Sequence, residues 1–202
     1  MARLLEREGV EVRLNTPVTP AFVAEEAPDA LLAAIGAAPF FLPIPGIHGA
    51  NVVPGTEISK RLSEIGRRVV VLGGGLVGCE GALFLAGEGR EVTVVQRSRL
   101  AGDANPRHRP ELLRRLEEAV QLRVGHTDLA VTEEWLLCRT PEGTEELLPA
   151  DTVICAAGLR PRSAERDALR GTAPIVEIIG DCARPGLIRD AVFRGHHAAL
   201  DL

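Results

Sequence analysis

The sequence predicts an α/β fold, and three consecutive segments carry this prediction. The run RRVVVLGGG, residues 67–75, places a β-branched stretch before a glycine cluster, which is typical of a strand buried on both faces of a parallel sheet. Residues 76–86 have helical periodicity that stops at Gly87, and EVTVVQ, residues 91–96, is a second strand. Strand, glycine turn, helix and strand make a βαβ unit, whose crossover is almost always right-handed.

The residues before this unit predict a piece of a second domain. After a helix end, VEVRL at residues 10–14 has the pattern of a short strand, and a second, buried strand follows Asp29 in DALLAAIGAAP. Residues 39–54 are rich in Pro and Gly, which predicts an irregular segment. Residues 56–65 have the apolar spacing of a helix that ends at Gly66.

The residues after the unit predict a helix, a meander and a return to buried strands. Residues 110–120 form an amphipathic helix with a proline start. Four short β-type runs separated by turns then predict an antiparallel meander: residues 121–124, 129–131, 135–139 and 146–148. DTVIC at residues 151–155 is a further buried strand, and the chain ends with a strand at 175–179 and a helix at 187–200.

Composition argues against several classes of protein. The 202 residues suffice for one large or two small domains, and a net charge of −5 without a basic tail argues against a nucleic-acid partner. No apolar run approaches the roughly 20 residues that span a bilayer, so no membrane association is expected. The cysteines have neither CxxC nor metal-ligand spacing, which predicts buried thiols, a cytoplasmic location and no metal site: Cys79, Cys138, Cys155 and Cys182.

The glycine cluster has the pattern G-x-G-x-x-G, formed by Gly73, Gly75 and Gly78. The first glycine permits the tight turn, the second lets a pyrophosphate approach the backbone, and the third lets helix and strand pack closely. The free N–H groups and dipole of the helix start favour phosphates. We therefore expect a Rossmann-like domain that binds NAD(P)H through this turn, including Gly74, Leu76 and Val77; the alternative is a turn with only a packing role.

The end of the second strand bears on the choice of nucleotide. A carboxylate there would bind the ribose 2′-hydroxyl of NAD, whereas arginine accommodates the 2′-phosphate of NADP. This chain has Gln96, Arg97, Ser98 and Arg99, which favours NADPH. The alternative is a solvated basic loop.

Three further turns follow predicted buried strands. They are Ala34-Ile35-Gly36, Ala156-Ala157-Gly158 and Gly180-Asp181. Each alone is compatible with ordinary strand-end turn chemistry. Together, in this order around the βαβ unit, they nevertheless make a pattern.

That pattern resembles the flavoproteins with two dinucleotide-binding domains. The segments that carry the resemblance are DALLAAIGAAPFFLPIPGI, TVICAAGLRP and IVEIIGDCARPG. More narrowly, two segments resemble the C-terminal half of NADH:flavin oxidoreductases of the 2,4-dienoyl-CoA reductase, trimethylamine dehydrogenase and enoate reductase type: GVEVRLNTPVTP and GDCARPGLIRDAVFRGHHAALDL.

The resemblance implies an NAD(P)-binding Rossmann-like domain at residues 51–152, inserted into an incomplete FAD-type domain at residues 1–50 and 153–202. NAD(P)H would pass a hydride to FAD, and the FAD contacts would come from Ala34, Gly36, Ala157, Gly158, Gly180 and Asp181. Glu80 would lie near the nicotinamide; the alternative is a solvated carboxylate that suits the helix dipole. No catalytic acid or base is identified.

Proteins of that type begin with an FMN-binding barrel, an iron–sulfur cysteine cluster and a first G-x-G-x-x-G for FAD, none of which is found in this sequence. We therefore expect a C-terminal fragment, inactive alone, whose partner is the missing N-terminal part with FMN and a 4Fe-4S cluster. A strand edge at residues 10–14 would favour a homo-oligomer. The rival functions are a non-catalytic NAD(P)H-binding module and a structural domain that has lost nucleotide binding.

Overall fold

The structure is a computed structural model that describes residues 2–202. In chain order its helices are α1 (Ala2–Arg7), α2 (Pro20–Glu26), α3 (Leu76–Gly87), α4 (Arg109–Ala119), α5 (Ser163–Ala168) and α6 (Ile188–Leu200). Its strands are β1 (Ala30–Ala33), β2 (Ala37–Pro39), β3 (Val52–Pro54), β4 (Arg68–Leu72), β5 (Glu91–Gln96), β6 (Gln121–Val124), β7 (Thr127–Val131), β8 (Trp135–Arg139), β9 (Glu145–Pro149), β10 (Thr152–Cys155), β11 (Leu159–Pro161) and β12 (Ile175–Ile178).

The chain divides into two compact units. The first combines the residues up to Ala37 with Pro161–Leu202, and the second is the continuous segment Ala38–Arg160. The second unit is therefore inserted into the first along the chain. The predicted domain bounds of 51 and 152 fall inside the second unit, and the assignment of each piece to a cofactor stays a prediction.

A five-stranded parallel sheet forms the centre of the second unit, in the order β3-β10-β4-β5-β6. Val69 and Val71 of β4 belong to a core cluster shared with α3 and α4. Val70 and Leu72 belong to a second cluster shared with the antiparallel sheet β7-β8-β9. These four side chains are at most 1% exposed, because helices cover one face of the sheet and the meander covers the other. The predicted α/β class with a parallel sheet is confirmed.

The first unit has a much smaller framework. Strands β1 and β12 pair in parallel, with Ala30 opposite Ile175 and Ala33 opposite Ile178. The buried hydrophobic cluster of this unit is formed by Val23, Ala33 and Leu169, and Cys182 and Ala198 are also buried. The carboxyl ends of both strands therefore lie at one edge of this two-stranded sheet.

The prediction of a strand at residues 10–14 is wrong. Within residues 2–202 this segment is irregular and pairs with no strand, and Val10, Val12 and Leu14 are 49%, 57% and 79% exposed. Alternating apolar residues make a stable strand only when a neighbouring strand satisfies the backbone and a core receives the side chains. The edge expected to favour self-association is thus not formed, and a homo-oligomer stays a prediction without that support.

The helix predicted at residues 56–65 is also wrong. Two short 3₁₀ turns occupy this segment, at Gly55–Glu57 and Leu62–Glu64. Ile58 and Ile65 are 5% and 3% exposed and pack into the cluster beneath α3. The apolar spacing therefore reflects two anchors in the core rather than one face of a helix.

The meander contains three strands, not the four predicted. Strand β6 pairs in parallel with β5, with Thr93 opposite Gln121. It follows α4, and a helical crossover returns the chain parallel to the preceding strand. Residues 39–54, which the sequence predicts to be irregular, end in a strand, β3. This strand lies at one side of the parallel sheet, beside β10.

In residues 2–202 no helix combines the length and apolar character needed to cross a membrane.

Candidate functional site

A cavity of about 500 Å³ lies in the second unit, where β4, β5 and β10 end. In open α/β sheets, ligands bind outside the carboxyl ends of the parallel strands. The cavity is lined by Leu42, Pro43, Ile44, Gly73, Gly75, Leu76, Val77, Gln96, Arg97, Ser98, Asp103, Thr127, Asp128, Ala156, Ala157 and Gly158.

Two glycines of the turn are required by packing. Gly73 has φ +101°, and a Cβ there would lie 2.5 Å from the Ala156 carbonyl oxygen. A Cβ on Gly78 would lie 1.9 Å from the Gly73 carbonyl oxygen. Side chains at these positions would collide with backbone atoms, so both glycines let α3 pack closely against the strands.

Gly75 is different, because the fold itself leaves room for a side chain. Its φ and ψ are −72° and −177°, which any residue adopts. A Cβ there would meet its nearest atom, Oδ2 of Asp103, at 3.4 Å, an ordinary contact. Gly75 lines the cavity, so a side chain would take space from the cavity and not from the core.

The start of α3 already holds one carboxylate. The Leu76 N–H donates to Oδ1 of Asp103 at 2.8 Å. The loop after β5 places Asp103 there, since the Ala101 N–H donates to the Gly74 carbonyl at 2.6 Å and the Arg109 guanidinium donates to the Leu100 carbonyl at 2.9 Å. The free N–H groups and the helix dipole make this position favourable for an anion.

Gln96 holds the glycine turn in place. Its Oε1 accepts a hydrogen bond from the Gly74 N–H at 3.0 Å, and its Nε2 donates to the Arg99 carbonyl at 3.3 Å. Gly74 itself is buried and does not line the cavity. The side chain at the expected ribose-binding position is thus already engaged by the protein.

The two arginines after β5 lie in different places. Arg97 lines the cavity, whereas the Arg99 guanidinium donates to the Gly102 carbonyl at 3.2 Å within its own loop. Glu80 is exposed on α3 and is not among the lining residues. Arg97 is therefore the better placed of the two arginines to meet a ligand in the cavity.

The turn after β10 meets the glycine turn in the same cavity. Ala157 and Gly158 both line it, and Gly158 has φ +113°. The Gly158 carbonyl accepts a hydrogen bond from the Phe40 N–H at 2.9 Å. Two turns that the sequence separates by about eighty residues are therefore adjacent, because β10 lies beside β4.

The other predicted turns lie in the first unit. Ala34 and Gly36 follow β1, and Gly180 and Asp181 follow β12, so all four lie at one edge of that sheet. Gly36 and Gly180 have φ of +74° and +64°, which favours glycine at both turns. Oδ1 of Asp181 accepts a hydrogen bond from the Gly186 N–H at 3.1 Å.

Several cavity residues were not anticipated from the sequence, above all Asp103 and Asp128. Burial raises the pKa of the Asp128 carboxyl to about 6, opposed by its own backbone amide and by Arg97 and His126. Asp103 lies in the loop after β5, and Asp128 is the second residue of β7, just after the turn at Gly125 that follows β6. Both segments come after the carboxyl end of a strand of the parallel sheet, and that position is the signal by which the sequence could have indicated them.

One cluster of possible metal ligands is formed by residues that do not line the cavity. One side-chain ligand atom each of His126, Cys138 and Glu146 lies within 4.8 Å of the others. Glu146 is engaged through both oxygens, by His126 Nε2 at 3.0 Å and Arg123 Nε at 3.2 Å. Burial raises the pKa of the Cys138 thiol to about 11, which keeps it protonated. The cluster is thus a hydrogen-bonded network between β6 and the meander.

Comparison with known proteins places this fold among redox enzymes. The sequence model of the pyridine nucleotide-disulphide oxidoreductase family matches residues 22–195. A metal reductase of Desulforamulus reducens is 29% identical, over 95% of this chain and 34% of the relative. An NADH oxidase of Thermoanaerobacter brockii is 31% identical, over 98% of this chain and 32% of the relative.

The solved structures include a similar region of a larger protein. A 2-naphthoyl-CoA reductase in complex with 2-naphthoyl-CoA superposes with a TM-score of 0.90 at 27% identity, covering 96% of this chain and 30% of that chain. This chain therefore spans about a third of the length of these three proteins, since the matched region makes up 34%, 32% and 30% of their respective chains.

Proposed function

The chain belongs to the pyridine nucleotide-disulphide oxidoreductase family, and we propose that it binds NAD(P)H along Gly73–Gly78 as the nucleotide-binding portion of an NADH:flavin oxidoreductase. The observation that carries the proposal is the open space beside Gly75 in the glycine turn. Packing accounts for Gly73 and Gly78, but a Cβ at Gly75 would meet only ordinary contacts at 3.4 Å or more. A glycine there suits a ligand that approaches the backbone closely, as a dinucleotide pyrophosphate does.

The chain's own residues would bind and orient the nucleotide. The pyrophosphate would lie against Gly75, Leu76 and Val77 at the start of α3, where the helix dipole favours negative charge. The adenosine half would extend towards Gln96, Arg97 and Ser98, and the nicotinamide half towards Ala157 and Gly158. NAD(P)H supplies the hydride in such a complex, and the protein supplies its placement.

The residues present do not fit a complete FAD. The sequence contains a single G-x-G-x-x-G, at Gly73–Gly78, so a second dinucleotide has no such cradle in this chain. In the first unit, the turns at Gly36 and Gly180 would contact only part of a flavin nucleotide. We assign FAD, FMN and a 4Fe-4S cluster, with the transfer of electrons to an unsaturated substrate, to a longer parent enzyme of which this chain is a fragment.

One observation favours a second candidate, a structural domain that has lost nucleotide binding. Asp103 already accepts the hydrogen bond of the Leu76 N–H at 2.8 Å, where a phosphate oxygen would accept it. A nucleotide must displace this carboxylate or bind beside it. Under the structural alternative, Asp103 is the permanent partner of the helix start.

Titration calorimetry with NADH and NADPH tests the proposal, using Gly75→Val as the variant. Valine at this position should project into the cavity beside the helix start without disturbing the fold, because Gly75 has extended backbone dihedrals and a Cβ there meets no atom closer than 3.4 Å. Gly87→Ala is the matched control, because nothing lies within 4 Å of a Cβ at Gly87, on the same helix.

We expect the wild type and Gly87→Ala to bind at least one of the two nucleotides, and Gly75→Val to lose at least about tenfold in affinity, which corresponds to about 1.4 kcal/mol. Circular dichroism checks that all three proteins are folded alike. If Gly75→Val binds as the wild type does, the site is wrong. If the folded wild type binds neither nucleotide, the structural alternative holds.

A further inference from the structure

Three side chains that can donate hydrogen bonds line the cavity beyond the end of β5. They are the guanidinium of Arg97 and the hydroxyls of Ser98 and Thr127. Arg97 and Ser98 follow β5 directly, and Thr127 begins β7. The Gly125 N–H donates to the Gln96 carbonyl at 2.8 Å, which brings the start of β7 beside the end of β5. Two segments that are distant in the sequence therefore contribute to one side of the cavity.

These donors are available to a ligand. Among residues 2–202, the Arg97 guanidinium forms neither a hydrogen bond nor an ion pair, whereas that of Arg99 donates to a carbonyl of its own loop. The Ser98 oxygen accepts from Nε2 of Gln96 at 3.4 Å, which leaves its own proton free to be donated. The Thr127 side chain is exposed. The structure thus separates Arg97 from Arg99, which the sequence treats alike.

A second cation lies next to this group. Thr127 stands opposite Arg139 in the antiparallel pairing of β7 with β8. Side chains of directly opposite residues lie on the same face of a sheet, with their Cβ atoms about 5 Å apart. Arg139 is half exposed, and its contact with Glu145 is a long one, at 3.9 Å. An anion bound at Thr127 is therefore within the influence of two guanidinium groups.

One carboxylate of the cavity acts against this positive charge. Asp128 also lines the cavity, and burial raises its pKa to about 6, opposed by its own backbone amide and by the charge of Arg97. Its Oδ1 is buried and has no hydrogen-bond partner among residues 2–202, so this oxygen does not face a ligand. Arg97, in contrast, presents a donor to the cavity.

We propose that Arg97, Ser98 and Thr127, with Arg139 beside them, hold the 2′-phosphate of the adenosine ribose, so that the site selects NADPH over NADH. This inference rests on the proposed function, since it names a contact within the same nucleotide site. A phosphate offers acceptor oxygens, which match a guanidinium and two hydroxyls.

The 2′-hydroxyl of NADH would need a different partner. In dinucleotide-binding folds a carboxylate at the end of the second strand accepts the hydrogen bond of that hydroxyl. This chain has Gln96 there, and its Oε1 already accepts from the Gly74 N–H at 3.0 Å. The position that would favour NADH is therefore engaged in holding the glycine turn.

The test is calorimetric titration of the 202-residue protein with NADPH and NADH, comparing the wild type with Arg97→Gln and Thr127→Val. Glutamine keeps a polar side chain without the charge, and valine replaces only the hydroxyl of threonine by a methyl group. Arg107→Gln is the matched control, because it removes one positive charge from an exposed position of the same loop that does not line the cavity. Circular dichroism and thermal melting verify that the four proteins are folded alike.

We expect the wild type and Arg107→Gln to bind NADPH at least about tenfold more tightly than NADH, as charge-assisted hydrogen bonds to a phosphate allow. Arg97→Gln should weaken NADPH binding by about tenfold and Thr127→Val by about threefold to fivefold, with NADH binding unchanged in both.

A wild type that binds the two nucleotides alike, or NADH more tightly, overturns the inference. Equal losses of both nucleotides in Arg97→Gln also overturn it, because a merely structural role would move both affinities together. Each of these results leaves nucleotide binding at the glycine turn intact, whereas a wild type that binds neither nucleotide overturns the proposed function as well.

Discussion

At the scale of single residues, the glycine turn shows what a motif predicts and what it leaves open. The spacing of Gly73, Gly75 and Gly78 could be recognised from sequence because each has a separate geometric reason to lack a side chain. The hydrogen bonds of Gln96 and Asp103 could not, because they depend on how the loop after β5 folds back over the turn. Asp128 could not be recognised from the sequence either, because its proximity to β5 depends on the pairing of β5 with β6.

Asp103 should weaken nucleotide binding through its charge. Asp103→Asn keeps an oxygen that can accept from the Leu76 N–H but removes the negative charge beside the expected pyrophosphate. We expect NADH affinity to rise by about threefold to tenfold at low ionic strength, and the gain to shrink in about 1 M salt because of screening. Calorimetry at both salt concentrations measures this, and a loss of affinity would mean that Asp103 contacts the nucleotide favourably.

Asp128 should make stability depend on pH in mildly acidic solution. Its pKa is about 6 in the folded protein against an ordinary value of 3.8, so the folded state binds the proton more tightly. The stabilisation is complete below pH 3.8 and is lost as the pH rises through about 6. The two-unit shift corresponds to at most about 3 kcal/mol. Urea unfolding of the wild type and Asp128→Asn from pH 4 to 7 should show the wild type losing relative stability; a constant difference contradicts this.

At the scale of helices and strands, the elements with strong local patterns were predicted well. Residues 91–96 form β5 as predicted, and α3 ends one residue beyond the predicted bound, because β-branched runs and glycine stops are local signals. The errors at residues 10–14 and 56–65 share a different cause. In both segments apolar spacing was read as secondary structure, whereas tertiary contacts, or their absence, decide the outcome.

The irregular segment at residues 10–14 should exchange its amide protons rapidly. The Val10 N–H donates to the Leu5 carbonyl, but the segment that follows has no strand partner among the described residues. Hydrogen exchange should therefore find Glu11, Val12 and Arg13 unprotected while Val69 to Val71 in β4 are strongly protected. Protection of residues 11–13 comparable with that of β1 would show that a strand forms there, and its dependence on protein concentration would identify self-association.

At the scale of the whole molecule, the two units differ in how much core they contain. The second unit has two large buried clusters on the two faces of one sheet. The first has one small cluster with three buried residues, and α6 leaves Ile188, Val192 and Phe193 at 86%, 65% and 62% exposed. The hydrophobic stabilisation is therefore concentrated in the second unit, which also contains the whole cavity.

The purified chain should retain no stoichiometric flavin. The single G-x-G-x-x-G leaves the FAD pyrophosphate without a cradle, and the remaining partial contacts must exceed an association cost of at least about 4 kcal/mol. We expect a colourless protein in visible absorption and no flavin in the supernatant after denaturation. A stoichiometric flavin band would show that the first unit binds FAD through contacts other than a glycine turn.

The most direct test of nucleotide binding at the glycine turn is a titration of ¹⁵N-labelled protein with NADH, followed by amide chemical shifts. We predict the largest changes at Gly75, Leu76 and Val77, with further changes at Arg97 and Gly158, because these residues line one cavity. The amide chemical shifts of β1 should not change. Saturable shifts confined to the first unit, or no shifts at millimolar NADH, would contradict the account.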